Sequence, residues 1–172
     1  YGDWSSDVCS SDLKSFQGSI VLGMGFTFDD SGDFDDVTPG IPSPKATMER
    51  LIAENPKNAE VIFPYIGGEE VNSSPTHAHH RYVINFGERS EEECWREWPE
   101  LLGIVERKVK PERDQLKDNA DGRRRKQNWW QFGRATPSLE LAVAGRQKTL
   151  AFALTSNSVA SAWVSLPAGF SH

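Results

Sequence analysis

Positive charge, indole rings and a carboxamide converge on one stretch of this chain, a combination suited to contacts with phosphates and bases. Val109-Lys110-Pro111-Glu112-Arg113-Asp114 leads through Arg123-Arg124-Arg125-Lys126 into Asn128-Trp129-Trp130. From Glu106 to Lys126 there are nine Lys or Arg against five Asp or Glu, a local net charge of +4 in a chain whose formal net charge is -6. A cationic patch that persists in an acidic chain attracts anions and fits a nucleic-acid backbone. Tryptophan offers a stacking face, and asparagine a donor and an acceptor for a base edge. The alternative for the same residues is a solvated helix face with Trp129 and Trp130 as core anchors.

Other reactive side chains do not assemble into a catalytic set. Gly23-Met24-Gly25 lacks the third glycine and the following helix of a dinucleotide loop. Asp29, Asp30, Asp33, Asp35 and Asp36 lack the terminal Glu and flanking helices of a calcium loop, so an exposed acidic turn is expected. His77, His79 and His80 are crowded, but no carboxylate or cysteine completes a tetrahedral set at the usual spacing, and Pro75-Thr76 places them in a loop. No metal site is assigned. Cys94 is surrounded by Glu91, Glu92, Glu93 and Glu97, whose charge raises a thiol pKa, so it reads as a buried structural cysteine. There is no phosphate-cradling Lys/Ser loop, nucleophilic serine elbow or outstanding carboxylate pair, and no catalytic residue is assigned.

Residues 1–13 stand apart. They have no apolar period and neither the positive nor the apolar region of a signal peptide. From Trp4 to Leu13 they resemble the translation of a sequencing-library adapter, so an unstructured artefact is expected there, with the native chain continuing upstream of Lys14. Setting them aside removes Cys9 and leaves Cys94, which fits a reducing compartment. Residues 14–172 suffice for one domain, and no apolar run approaches the length of a membrane span. The acidic composition and absent signals fit a soluble intracellular chain.

Short strands and helices must position the basic stretch. Ser19 to Phe28 is β-prone and punctuated by glycines. Ser43 is expected to cap a helix over Lys45 to Glu54, with Pro44 in its first position and Pro56 forcing an end near Asn55. Val61 to Ile66 predicts a strand closed by Gly67-Gly68, with a loop over residues 69–75. Arg81 to Phe86 predicts another strand, with Tyr82, Ile84 and Phe86 on one side. A helix from Glu91 to Trp98 is interrupted at Pro99. It resumes with Leu101, Leu102, Val105 and Val109 as its apolar stripe; Arg107, Lys108 and Lys110 are expected at other angles, and Pro111 should kink or end it. A short helical turn over residues 138–145 and strands over 149–155 and 162–167, joined by a polar loop at 156–158, complete the chain. No clean βαβ repeat appears, which predicts a mixed α/β arrangement of the α+β class.

Several segments in one order carry a resemblance. Gly23 to Phe26, Asn58 to Asn72, Tyr82 to Phe86, Val109 to Arg113 and Trp129-Trp130-Gln131-Phe132 resemble the target recognition region of MmeI-like adenine-specific DNA methyltransferases, often fused restriction-modification enzymes. The resemblance runs from about Lys14 to the chain end. It implies a DNA target-recognition domain, incomplete at its C-terminus, that packs on a methyltransferase domain lying upstream. That domain would bind S-adenosylmethionine and methylate adenine N6 through an Asn-Pro-Pro-aromatic motif, which Asn55-Pro56-Lys57 does not supply. The implied partner is double-stranded DNA, and the implied location is the prokaryotic cytoplasm, on the nucleoid. Lys108, Lys110, Arg113, Arg123, Arg124, Arg125 and Lys126 are then the phosphate candidates. Asn72, Asn128 and Arg134 are the base-edge candidates, with Trp129 and Trp130 buttressing the basic element. The reading from another class is a non-catalytic protein-interaction or scaffold domain. Deleting residues 1–13 should leave stability, measured by thermal denaturation, within about 0.5 kcal/mol of the starting chain, the range of a surface change.

Overall fold

Short strands whose residues are mostly buried or half-buried build a five-stranded mixed sheet in the computed structural model, which describes residues 15–16, 18–67, 71–72, 79–134, 136–152 and 161–170. The strands are β1 (Thr27–Asp29), β2 (Ser43–Pro44), β3 (Ile62–Ile66), β4 (Arg81–Ile84), β5 (Lys148–Phe152), β6 (Ser161–Ser165) and β7 (Gly169–Phe170). The main sheet has the order β2-β1-β4-β3-β7. Its central pairs, β1 with β4 and β4 with β3, are antiparallel; its outer pairs, β2 with β1 and β7 with β3, are parallel. β5 and β6 form a separate antiparallel pair in which Leu150 faces Trp163.

The helices are α1 (Lys45–Glu54), α2 (Glu91–Glu97), α3 (Pro99–Asp114), α4 (Ala120–Gln127) and α5 (Pro137–Val143). Helices beside a mixed sheet make this an α+β fold, as the sequence predicts. Phe26, Phe28, Val83, Ile84 and Phe86 join Leu101, Leu102, Val105 and Val109 of α3 in the main core. Ile66, Val71 and Val164 form a smaller cluster that ties the β5–β6 pair to the end of β3.

Local chemistry explains several boundaries. Asn55 ends α1, and its side chain accepts the Lys57 N–H to start a 3-10 turn over Pro56–Val61. Ser90 caps α2 by accepting the Glu93 N–H at 3.2 Å. Trp98 separates α2 from α3, whose first residue is Pro99, where a missing N–H removes nothing from the helix.

Four expectations are corrected. Ser43 does not cap α1: it is in register with Phe28 in β2, and its buried hydroxyl has no partner among the described residues. The run from Ser19 to Phe28 is not one strand. Ile20 only bridges to Arg134, and a 3-10 turn over Met24–Phe26 follows, because the chain drops onto α3 there. A Cβ on Gly25 would lie 2.7 Å from Lys108 Cβ, so the approach demands glycine. Helix α3 runs through Pro111 to Asp114, since proline deletes a single N–H and the buried Val109 and Arg113 hold the last turn in place.

The fourth correction concerns the acidic turn, which is not simply solvated. Asp29 is buried and accepts the N–H groups of Asp30 and Ser31. Asp35 accepts the N–H groups of Val37 and Thr38 and the Thr38 hydroxyl, and these bonds hold its carboxyl down to about 2. Asp36 accepts the Thr47 hydroxyl at 2.7 Å. The loop thereby closes over α3 and presents backbone carbonyls to Lys108. Residues 1–13, the 68–70 and 73–75 parts of the predicted turn and loop, His77 and the 156–158 loop lie outside the described residues. Replacing Lys108 by alanine should lower stability in urea by about 2–4 kcal/mol, because it leaves buried carbonyls unbonded.

Candidate nucleic-acid interface

The predicted phosphate candidates divide into internal and external groups. Lys108 is 0% exposed. Its ammonium donates to the carbonyl oxygens of Asp35 and of Pro42, the latter at 3.0 Å. Burial lowers its pKa, while the negative charges of Asp35 and Asp36 oppose that shift. It is held inside the fold and does not meet phosphate.

Arg113 is likewise internal, at 3% exposure. One guanidinium nitrogen donates to the carbonyls of Asn128 at 3.0 Å and Gln131 at 2.6 Å. The other donates to Val21 at 3.5 Å and Leu22 at 3.4 Å. Its guanidinium also lies 5.2 Å from the Phe26 ring centre. Burial, helped by the nearby guanidiniums of Arg125 and Arg124, lowers its pKa to about 10, which still leaves it charged at neutral pH. Arg113 is a clamp between two chain segments, so it too is removed from the phosphate candidates.

The signal for both corrections lies in the spacing along α3. Lys108 falls three residues after Val105 and seven after Leu101, and Arg113 falls four after Val109. Both therefore lie on the apolar stripe rather than at other angles.

The remaining cations reach solvent to different degrees. Lys110 pairs with Glu106 at 2.8 Å and sits 4.8 Å from the Trp129 ring centre, half exposed. Helix α4 begins at Asn119, whose side chain accepts the Gly122 N–H, and carries Arg123 to Lys126 along its length. Arg123 has a side chain 63% exposed and pairs with the still more exposed Asp118 at 2.8 Å. Arg124 donates to the Gly133 carbonyl and lies 3.5 Å from Asp121, with half its side chain open. Arg125 is mostly covered and pairs with Asp121 at 2.7 Å. Lys126 is half-buried and forms no ion pair among the described residues. Surface pairs of this kind contribute little and exchange readily.

Trp129 and Trp130 are buried, as the buttressing role requires. The Trp130 indole N–H donates to the Arg89 carbonyl at 2.9 Å. Among the base-edge candidates, Arg134 is exposed and its backbone bonds to Ile20 in both directions at 3.0 Å. Asn128 is half-buried at the end of α4, and Asn72 is exposed beyond β3, beside the buried Val71.

Arg124 and Arg134 line one cleft of about 610 Å³ with Gln131, Leu22, Glu88 and Asp121. Leu22, Gln131 and Glu88 were not among the sequence candidates. A glycine after Leu22 was the only hint of a turn, and nothing in the linear pattern brings residue 22 to residue 133. A second cavity of about 420 Å³ lies between the sheet and α5, lined mainly by apolar groups such as Phe63, Tyr65, Leu139 and Val143. It gathers no cationic cluster.

Cys94 is fully buried, and its thiol is pushed up to about 11, first by burial and then by the charge of Glu93. Its folded pKa lies above the ordinary 9.0, so the stabilisation from keeping the thiol neutral is complete below pH 9 and lost as pH rises toward 11. The His79 ring lies 3.3 Å from the Tyr82 hydroxyl. Among the described residues no group of three or more His, Cys, Asp or Glu is arranged to hold a metal. The Gly23-x-Gly25 pair packs against Lys108 and Val109. Arg113→Ala should cost about 3–5 kcal/mol in chemical denaturation, and Arg113→Lys should not restore it fully, since the single nitrogen of an ammonium cannot reach all the carbonyls that the two guanidinium nitrogens reach.

No protein-family model matches the chain, and no curated protein does. Among solved structures, the chain is similar to the type IIL restriction-modification enzyme MmeI, determined in complex with DNA, with a TM-score of 0.57 and 14% identity. The likeness covers 90% of this chain and 18% of that one, so the chain spans under a fifth of the enzyme's length. At this identity the likeness establishes a shared fold.

Proposed function

We propose that this chain is the DNA target-recognition segment of a site-specific adenine-N6 methyltransferase of the restriction-modification type. The observation that carries the proposal is the outward cationic set on α4, adjoining a cleft that also holds Arg134, in a fold shared with part of a DNA-bound restriction-modification enzyme. Arg123, Arg124 and Lys126, aided by Lys110 and Arg125, fix the register of a duplex through its phosphates, while Arg134, Asn128 and Asn72 meet base edges. Lys108 and Arg113 hold the scaffold beneath them. The adenine leaves the stack for a catalytic part elsewhere in the polypeptide, where S-adenosylmethionine supplies the methyl group. Asn55-Pro56-Lys57 does not supply the Asn-Pro-Pro-aromatic motif, and on this reading the segment performs the gripping and reading steps.

A salt titration of duplex affinity by fluorescence anisotropy tests the proposal. Arg123→Ala or Lys126→Ala should weaken binding similarly on every sequence and reduce the salt slope by about 1. Arg134→Ala should cost roughly 1–3 kcal/mol on a duplex selected from a randomised pool and little on others. A wild-type chain without salt-dependent duplex affinity would favour the scaffold reading, in which the cations of α4 are only solvated.

A further inference from the structure

Leu22 is in the left-handed region at φ 49, a conformation that a branched, non-glycine side chain adopts only when its surroundings enforce it. Here they do. The Arg113 guanidinium bonds the carbonyls of Val21 and Leu22, and the Gly133 N–H bonds Val21 again. The turn thus held does not bury the leucine, whose surface is 48% exposed. The side chain lies over Gly133, where a Cβ would come within 2.4 Å of Leu22 Cδ1, and forms part of the wall of the 610 Å³ cleft. Beside it in the cleft are Arg124, Arg134 and the Gln131 amide, which is fixed by donating to the Arg89 carbonyl at 3.2 Å. The carboxylates of Asp121 and Glu88 share the cleft, but Asp121 is already paired with Arg125 at 2.7 Å.

An exposed aliphatic side chain on a strained, firmly held backbone, in a cleft that also holds two guanidiniums, suits an apolar wedge on nucleic acid. Such wedges press into a base step and unstack it while neighbouring cations hold the flanking backbone. We propose that Leu22 is a base-step wedge: it enters the stack of the bound duplex at the cleft, with Arg124 on the adjoining phosphate and Arg134 on the neighbouring base edge. This inference rests on the DNA-recognition reading and adds the residue that deforms the duplex. The backbone strain at Leu22 serves the display of that side chain.

The test uses the full chain and a duplex selected from a randomised pool, with 2-aminopurine placed at successive positions. Wild type should raise the fluorescence at one step, reporting unstacking. Leu22→Gly and Leu22→Ala should both abolish that rise and weaken binding roughly tenfold, the size of one lost specific contact. Leu22→Gly should meanwhile keep or raise the Tm, because glycine adopts the left-handed conformation without strain. The wedge is overturned if both variants bind and fluoresce like wild type, or if Leu22→Gly loses affinity only alongside a several-degree drop in Tm. A salt-slope change in Arg123→Ala under either outcome would leave the DNA reading standing, whereas a wild-type chain with no duplex affinity at low salt would end both.

Discussion

A single guanidinium joins the parts of this molecule that matter for its surface. Arg113, near the end of α3, donates to carbonyls from two segments far apart in sequence: Val21 and Leu22 before the first strand, and Asn128 and Gln131 after α4. Neither segment has a regular ladder of its own beyond the bridge between Ile20 and Arg134. Backbone carbonyls left without donors in such a place are costly, and a planar fork reaches several at once where an ammonium reaches fewer. The clamp fixes the chain on both sides of the two tryptophans and beside the cleft wall at Leu22.

Charge is used in two ways along α3 and α4. On α3, Lys108 makes no ion pair among the described residues; it gathers the carbonyls of Asp35 and Pro42, while Asp29 and Asp35 accept nearby N–H and hydroxyl groups and Asp36 keeps one buried oxygen without a partner among the described residues. The excess of aspartates in residues 29–36 and part of the excess of cations in residues 106–113 thereby belong to one structural unit. On α4, Arg123 and Arg124 remain outside while Arg125 is mostly covered, and the charge available to a partner is concentrated on a short helix rather than spread over the whole basic run.

Much of the fold was legible in the sequence. Proline and asparagine signals placed the end of α1, Pro99 placed the α2–α3 break, and the apolar runs at residues 61–66 and 81–86 placed the central strands. Those signals are local, and local chemistry decided them. The interior fate of Lys108 and Arg113 was written in the helical spacing but masked by residue type, since a buried cation is rare without a ready-made set of acceptors. The acceptors came from residues 21, 22, 35, 42, 128 and 131, which only the tertiary fold brings near α3. The cleft was illegible for the same reason. Its walls come from residues 20–22, from Glu88 and from residues 121–137, segments far apart in sequence of which a β-bridge joins the first and last, and strain at Leu22 has no signature in a linear pattern.

The ion pairs on α4 also give that helix a built-in competitor. Asp118 holds Arg123, and Asp121 holds both Arg124 and Arg125, so each arginine already faces an oxyanion of the chain itself. An incoming anion there exchanges one carboxylate for another oxygen ligand instead of meeting a bare cation. The free energy gained is only the difference between the two, and the arginines are kept extended and ready between encounters. A surface built this way grips lightly and lets go quickly, so that tight holding has to come from shape and from groups with no rival carboxylate of their own.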